Sequence, residues 1–474
     1  MTIAAYDTHD GLGLAGLVHS REISALELLD EAIRRTEAVD PRLNAVVVRH
    51  DDAARRQIAA GLPEGPFTGV PFLLKDLDLL AGTRTTFGAS VFSNFVADHT
   101  GTLAQRFLAS GVTIFGKSAS PELGLMPTTE SRLFGPTRNP WNPAHSSGGS
   151  SGGAAAAVAA RIVPVAHASD GGGSIRIPAS ACGVFGLKPT RARTPTGPDR
   201  GEGWGGFACG HVVSISVRDS AAMLDAVQGP EACSPYVAPP PERPYLDETR
   251  RDPGRLRIAF TDRSPYGEPI DPEIAAAVRD VAAMLERLGH HVEERAPALP
   301  LDPAAVLATI VGTNTALSVR LAEDAFGRPM TDGDFERLTL AMAANARKAS
   351  GIDYVEAQLG AFQIAHRLAE FFAGCDVFLA PTLCLPPLPI GALDTMTSDL
   401  SHISPLLRRY MPGTSMFNIS GQPAMSVPLA WNAAGLPLGM MFAGRFGDEA
   451  TLFRLAAQLE QERPWAQRRP PVCA

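Results

Sequence analysis

The sequence predicts an α/β fold, because short apolar runs alternate with segments of helical periodicity. Residues 70–74 form an apolar run typical of a buried strand, which ends at Lys75. Residues 102–110 have the pattern of a helix closed by Gly111, and a strand is predicted directly after it at residues 112–115. These segments indicate α-to-β units, with a glycine at the helix C-terminus.

Further elements follow the same rules along the chain. Ser24 and Glu27 have the spacing of a capping box, which predicts the start of a helix. Asp271 is followed by a proline and is predicted to open another helix. Residues 376–380 are a buried-strand candidate, and residues 449–460 have the pattern of an amphipathic helix.

Two stretches lack a regular pattern. Residues 193–210 are rich in glycine and proline and contain Trp204 and Phe207, which favours a mobile loop over a site. Residues 228–254 are proline-rich and polar, which predicts a linker between two halves of one fold. The chain has 474 residues, 45% of them hydrophobic, and can bury a large core without disulfides or metals. We therefore predict a single domain over residues 1–474.

Charge and composition argue against several classes of protein. The formal net charge is −8 and no cluster of Lys and Arg occurs, which argues against nucleic-acid binding. The six cysteines are scattered without a C-x-x-C pair, which is typical of reduced cytoplasmic thiols and predicts no metal site. The N-terminal stretch lacks the features of a signal peptide. No run of about 18 consecutive apolar residues predicts a membrane span.

Glycine and serine are concentrated in residues 146–153 and 170–178. Glycine at this density weakens helices and strands, so it indicates backbone that must approach a small group closely. The three glycines before Ser174 can aim N–H groups at one point, as in an oxyanion hole, where one donor contributes roughly 3 kcal/mol. Phosphate binding is the alternative, but neither stretch matches a P-loop or a G-x-G-x-x-G fingerprint.

A serine nucleophile needs a base. His145 and His167 have no obvious acidic partner in the sequence, so neither is favoured. Lys75 ends an apolar run, where burial would lower the pKa of its amine enough for it to serve as a base. The alternative stays open from this residue alone: a lysine whose stem covers apolar surface while its amine remains in water.

Several motifs extend the pattern over nearly the whole chain: Gly-Val-Pro at 69–71, Thr-Arg-Asn-Pro-Trp-Asn at 137–142, Asp-Gly-Gly-Gly-Ser-Ile-Arg-Ile-Pro at 170–178, Gly-Leu-Lys-Pro-Thr at 186–190 and Phe-Asn-Ile-Ser-Gly-Gln-Pro-Ala at 417–424. Together with Lys75 and the double-serine glycine run, they resemble the amidase signature family. The resemblance implies a large mixed β-sheet sandwiched between helices. It also implies hydrolysis of a C–N acyl bond, without a metal or an organic cofactor.

The resemblance assigns roles to residues of this sequence. It implies a catalytic triad of Lys75, Ser150 and Ser174, with a cis peptide bond before Ser150. It implies that Ser151, Asp170 and Arg176 hold the active-site loop by hydrogen bonds. The oxyanion hole that it implies consists of the backbone N–H groups of Gly171, Gly172, Gly173 and Ser174. Many members carry a bulkier residue at the position of Gly171.

Within the family, the strings around Lys75, 139–141, 165–167 and 464–466 most resemble hydrolases of cyclic nylon oligomers and urethanes. We therefore expect a small amide, anilide or carbamate substrate, esterase side activity, and a cytoplasmic monomer or homodimer. An alternative is the family's transamidating subunit, which acts in a complex on aminoacyl-tRNA. Aromatic and methionine residues are more often core than pocket, but five are candidates for the substrate pocket: Trp204, Phe207, Met411, Met416 and Phe417.

Overall fold

The computed structural model describes residue 3, residues 5–232 and residues 234–474, so Cys233 and parts of the N-terminal stretch lie outside the described residues. The strands, in chain order, are β1 (Val46–Arg49), β2 (Pro71–Lys75), β3 (Thr113–Ser118), β4 (Glu130–Ser131), β5 (Gly135–Pro136), β6 (Val165–Asp170), β7 (Phe185–Lys188), β8 (Cys209–Ser214), β9 (Arg257–Phe260), β10 (His291–Glu294), β11 (Val377–Pro381), β12 (Ala424–Trp431) and β13 (Pro437–Gly444).

The α-helices, in chain order, are α1 (Ala5–Thr8), α2 (Gly11–His19), α3 (Ala25–Leu43), α4 (Asp51–Ala60), α5 (Thr102–Ala109), α6 (Gly152–Ala159), α7 (Arg176–Cys182), α8 (Val217–Val227), α9 (Tyr245–Glu248), α10 (Pro272–Arg287), α11 (Pro303–Phe326), α12 (Arg337–Ala346), α13 (Gly351–Ala373), α14 (Leu400–Tyr410), α15 (Met416–Ser420) and α16 (Glu449–Glu462). Short 3₁₀ helices lie at Ser90–Phe92, Glu122–Gly124 and Trp465–Gln467.

In the described part of the chain, eight strands form a mixed sheet in the order β10-β9-β11-β13-β12-β7-β8-β6. The pairs β10–β9 and β9–β11 are parallel, and the remaining pairs are antiparallel. A smaller sheet has the order β1-β3-β2, and its strand β2 packs against β6 of the large sheet. This contact brings Lys75, at the end of β2, next to the end of β6, where the glycine-rich loop begins.

Helices cover both faces of the large sheet. Because successive side chains of a strand point to opposite faces, β13 contributes to two separate cores. Met440 and Phe442 pack in one cluster with residues of α10 and α16, whereas Met441 and Ala443 pack in another with residues of α13 and α15. The arrangement is the helix–sheet–helix sandwich that the family resemblance implies.

The predicted elements are confirmed with small shifts at their ends. The helix predicted at residues 102–110 is α5, and the strand predicted at 112–115 is β3, which continues to Ser118. Ser24 and Glu27 form both hydrogen bonds of the capping box at the start of α3. The side chain of Asp271 caps α10 by accepting the N–H of Glu273.

The structure describes both stretches that lack a regular sequence pattern, apart from Cys233. Residues 193–210 form no helix, and the segment around Trp204 is fastened by a hydrogen bond from Arg191 Nε to the carbonyl of Gly206 at 2.7 Å. Mobility of this loop stays a prediction. The described part of residues 228–254 contains one helical turn, α9, which the composition of the stretch did not predict.

Helix α11 corrects one expectation about the membrane. By length and composition alone, this 24-residue helix is long and apolar enough to cross a membrane, and 33% of its apolar window is buried. The sequence contains no run of about 18 consecutive apolar residues here, because Thr and Asn residues interrupt the apolar residues of α11. One such helix among the described residues is weak evidence for a membrane, and α11 packs against α12 and α13.

Candidate active site

The amine of Lys75 is buried among hydroxyl groups. Its Nζ lies 2.8 Å from Oγ of Ser150, 2.8 Å from Oγ of Ser151 and 3.1 Å from Oγ of Ser169. Burial lowers the pKa of this amine to about 7, and the carboxylates of Asp78 and Asp170 only partly offset the effect. The side chain is fully buried, which removes the alternative of a lysine with its amine in water.

Ser150 and Ser151 lie in the loop that leads into α6. The peptide bond between Gly149 and Ser150 is cis, as the resemblance implied. A Cβ atom at position 149 would lie 2.6 Å from the carbonyl oxygen of Met126, so only glycine allows the loop to pack this closely. The close approach places both serine hydroxyls against Lys75.

Ser174 lies in the loop between β6 and α7 and is partly exposed. It lines a cleft of about 470 Å³ together with Ser150 and Ser169. The described residues show no direct hydrogen bond between the hydroxyls of Ser150 and Ser174. The structure therefore brings the three predicted triad residues to one site, with the hydroxyl of Ser174 open to the cleft.

Of the four backbone amides from Gly171 to Ser174, one is already paired and three are not. The N–H of Gly173 donates to Oδ1 of Asp170 at 2.7 Å. In the described residues, the N–H groups of Gly171, Gly172 and Ser174 have no hydrogen-bond partner. Gly173 has a φ of +136°, and a Cβ there would lie 2.5 Å from Oγ1 of Thr414, so its place in the loop requires glycine. Three of the four predicted oxyanion-hole donors are thus available.

Asp170 holds this loop through a buried network. Its carboxylate accepts hydrogen bonds from Arg176 Nε at 2.9 Å and Nη2 at 3.0 Å, and from Asn418 Nδ2 at 2.8 Å. Burial alone would raise the pKa of the carboxyl group, but the Arg176 guanidinium holds it well below its usual range. Asn418 also accepts from Arg176 Nη2 at 2.7 Å, which closes the network.

His167 lies next to Lys75, and its ring is fully buried. Its Nδ1 accepts the backbone N–H of Lys75 at 3.2 Å, and its ring lies 5.1 Å from that of Phe107. Burial lowers the pKa of the imidazole to about 4, so the ring stays neutral. His167 supports the strand that carries Lys75.

Only one of the five pocket candidates lines the cleft. Trp204 forms part of its wall, whereas Phe207, Met416 and Phe417 are buried in the core between the sheet and α13. Met411 packs at the edge of another hydrophobic cluster. The rest of the apolar lining includes large residues that the sequence did not single out: Leu77, Leu79, Phe87, Phe92, Leu103, Leu123, Leu125 and Leu321.

Comparison with known proteins decides the family. The family model described as Amidase matches residues 27–453, which is most of the chain. The chain belongs to the amidase family. This amidase is therefore a hydrolase that acts on carbon–nitrogen bonds other than peptide bonds.

Relatives of the amidase cover its full length. It is 39% identical over 479 residues to the 6-aminohexanoate-cyclic-dimer hydrolase of Paenarthrobacter ureafaciens, with 98% of this chain and 96% of that protein covered. The solved structure of a 6-aminohexanoate cyclic dimer hydrolase complexed with substrate matches with a TM-score of 0.94 at 36% identity, covering 100% of both chains. A bacterial aryl acylamidase of the amidase signature family matches with a TM-score of 0.87 at 27% identity, covering 97% of both chains.

Two polar residues at the site were missed in the sequence. Ser169 lies two positions after His167 on β6, and this spacing places both side chains on the same face of a strand, toward Lys75. Asn418 is 248 residues from Asp170 in sequence. In the sequence, Asn418 appears only within the motif at 417–424, and that motif does not indicate a contact with Asp170.

Proposed function

We propose that this amidase hydrolyses a small amide through an acyl-enzyme, with Ser174 as nucleophile, Ser150 as proton relay and Lys75 as base. The observation that carries the proposal is the buried Lys75 amine, which lies 2.8 Å from the Ser150 hydroxyl. An uncharged amine can accept a proton, whereas an ammonium ion cannot. A pKa of about 7 leaves much of Lys75 uncharged at neutral pH.

The reaction follows from this arrangement. Ser174 attacks the carbonyl carbon while its proton passes to Ser150, and Ser150 gives a proton to Lys75. The leaving nitrogen must be protonated to depart, and the proton returns to it through Ser150. Water then cleaves the acyl-enzyme by the same relay. The Ser150–Ser174 hydrogen bond is expected to form with substrate, because catalytic hydrogen bonds often tighten only in the complex.

The free amides of the nucleophile loop support stabilisation of the tetrahedral intermediate. The N–H groups of Gly171, Gly172 and Ser174 are unpaired in the described residues and belong to the loop that carries the nucleophile. Donors of this kind stabilise negative charge that develops on the carbonyl oxygen, each by roughly 3 kcal/mol. In our proposal Gly173 has a different part, because its N–H holds the loop to Asp170.

The substrate that we propose is a small amide of low charge. The support is the similarity to hydrolases of a cyclic amide dimer and a cleft of about 470 Å³ with largely apolar walls. Carbamates and anilides present the same planar C–N acyl group and are proposed as further substrates, with esters as side substrates. The transamidating-subunit alternative receives no support from these relatives, whose names are those of hydrolases.

We also propose a single-domain enzyme that works in the cytoplasm as a monomer or homodimer, without nucleic acid. The free thiols of the five described cysteines fit a reducing compartment. Size-exclusion chromatography with light scattering measures the oligomeric state, and cell fractionation measures the location. A membrane-bound or hetero-oligomeric enzyme would contradict this part of the proposal.

The central experiment identifies the covalent intermediate. The purified enzyme is mixed with 6-aminohexanoate cyclic dimer, an anilide, an aryl carbamate and an aryl ester, and product release is followed. Because a carbamoyl-enzyme is expected to hydrolyse slowly, intact-mass spectrometry of the carbamate reaction should show one added carbamoyl group, and peptide mapping should place it on Ser174.

Variants test each role. Ser174→Ala should abolish turnover and the mass adduct, and Lys75→Met and Ser150→Ala should each lower kcat by orders of magnitude. Lys348→Met is the matched control, because Lys348 is exposed and should keep full activity. An adduct on another residue, or normal turnover by Ser174→Ala, contradicts the proposal.

A further inference from the structure

The side chain of Trp204 lies directly over the loop of the nucleophile. A Cβ atom at position 171 would lie 2.5 Å from Cε3 and 2.6 Å from Cζ3 of the indole. Real Cβ atoms do not approach so closely, so the ring can occupy this place only because residue 171 is glycine. The pair therefore couples the loop that holds Ser174 to a wall of the cleft.

The backbone of Trp204 is held in an uncommon conformation to achieve this. Its φ is +51°, in the left-handed region that bulky residues rarely adopt, at a cost of about 1–3 kcal/mol. Gly205 and Gly206 follow with positive φ values of +61° and +84°. The N–H of Phe207 donates to the Trp204 carbonyl at 3.2 Å, which closes the turn.

The surroundings of the indole keep it in place. Trp204 packs against the core cluster that includes Phe207 and Ile310, and Leu307 and Tyr354 pack against the same cluster. One side of the ring is thus supported by the core, while the residue also lines the cleft. A strained position supported on one side and facing a cleft on the other indicates a functional surface.

Ser150 and Trp204 both line the cleft, and each contacts a different glycine. In the proposed reaction the leaving nitrogen takes its proton from Ser150, so the amine part of the substrate must lie on the Ser150 side. Gly124 lies next to Ser150, since a Cβ atom at position 124 would be 3.3 Å from Oγ of Ser150. Trp204 lies instead over Gly171, in the loop that carries the nucleophile.

We propose that Trp204, seated over Gly171, is the specificity-determining wall for the acyl group of the substrate. This inference rests on the proposed function, which sets the direction of the substrate in the cleft. Flat acyl groups, aromatic or conjugated, stack on an indole face and gain more from it than small aliphatic ones. In this proposal the amine part lies beside Ser150 and does not contact the ring.

The test compares two matched substrate series. In one, p-nitroaniline is the constant leaving group and the acyl group is benzoyl, cyclohexanecarbonyl or acetyl. In the other, the acyl group is constant and the amine varies in size. Trp204→Ala should lower kcat/KM for benzoyl substrates by about 10- to 100-fold, and the benzoyl-to-acetyl ratio by at least about tenfold. The amine series should keep its order of preference.

Gly171 gives an independent variant. Gly171→Ala should push the indole aside and reduce the benzoyl-to-acetyl ratio without removing the ring. In the Trp204→Ala background the added methyl group meets no indole, so the effect of Gly171→Ala on this ratio should largely vanish. This non-additivity is a direct readout of the contact. Trp431→Phe is the control, since Trp431 packs against Trp141 and does not line the cleft.

The outcomes separate the two proposals. Equal losses over the whole acyl series, a change in the amine series instead, or additive effects of the two substitutions would overturn the role of Trp204. Trp204→Phe keeps a smaller ring and serves if Trp204→Ala does not fold. The adduct on Ser174 is measured in every variant, and its presence keeps the proposed function intact even where the acyl-wall inference fails.

Discussion

Asp170 and Arg176 form an ion pair in which both side chains are completely buried, with the guanidinium Nε 2.9 Å from Oδ2. The carboxylate also accepts the N–H groups of Gly173 and Ile175, on both sides of Ser174. The pair therefore fixes the backbone from which the nucleophile projects. A buried charge that loses its partner is costly, typically by about 3–5 kcal/mol.

Arg176→Ala should therefore destabilise the protein by about 3–5 kcal/mol, because the Asp170 carboxylate stays buried without its counter-charge. Urea unfolding measures this loss. Arg347→Ala, which removes a partly exposed ion pair with Glu323, is the control and should cost less than about 1 kcal/mol. A similar loss for the two variants would show that the buried pair does not hold the loop.

The activity should depend on pH through Lys75. Burial lowers the pKa of its amine to about 7, and only the uncharged amine can accept a proton. We expect kcat/KM to rise with pH and to level off above an apparent pKa of about 7. Lys75→Arg should stay inactive up to pH 10, because a guanidinium group does not lose its proton. A flat profile between pH 5 and 9 would rule out Lys75 as the base.

Residues of this site differ in how far the sequence predicts them. Lys75, Ser150 and Ser174 lie in local motifs that carry the family resemblance, and the resemblance implies their roles. Asn418 reaches Asp170 across 248 residues, and no local pattern reports such a contact. The pairing of the Gly173 amide with Asp170 likewise depends on the path of the backbone. A continuous apolar run predicts β2, because all five of its residues are buried, and helical periodicity predicts α5 and α10, because one face of each is buried.

Burial of Lys75 should also lower the free energy of unfolding of the protein below about pH 10.5. The pKa of Lys75 is about 7 when folded and near 10.5 when unfolded, so between these values the unfolded state binds a proton that the folded state lacks. The destabilisation is complete below pH 7 and disappears as pH rises through 10.5, with a slope of up to about 1.4 kcal/mol per pH unit. Lys75→Met removes this term.

The stability of Lys75→Met relative to the wild type should therefore be most favourable near pH 7 and should decline toward pH 10. Denaturant unfolding at several pH values measures the difference. Lys348→Met, at an exposed site, should show no such trend. A difference that does not change with pH would mean that Lys75 is charged in the folded enzyme.

His99 contacts Asp98 and Asp199, and Asp199 lies in the loop that carries Trp204. Nδ1 of His99 lies 2.6 Å from Oδ1 of Asp98 and its Nε2 lies 2.9 Å from Oδ2 of Asp199. Hydrogen bonds to Asp98 and then Asp199 raise the pKa of the imidazole. The charged ring donates to both carboxylates, whereas the neutral ring has only one N–H to give.

Protection of residues 197–204 should therefore decrease as pH rises through the raised pKa of His99, because the tether is complete only while the imidazole is charged. Hydrogen exchange, corrected for the intrinsic pH dependence of each amide, measures this protection. His99→Gln should give low protection at every pH and remove the transition. His366→Gln is the matched control, since His366 pairs with Glu370 on the exposed face of α13. A transition that persists in His99→Gln would assign the change in protection to another group.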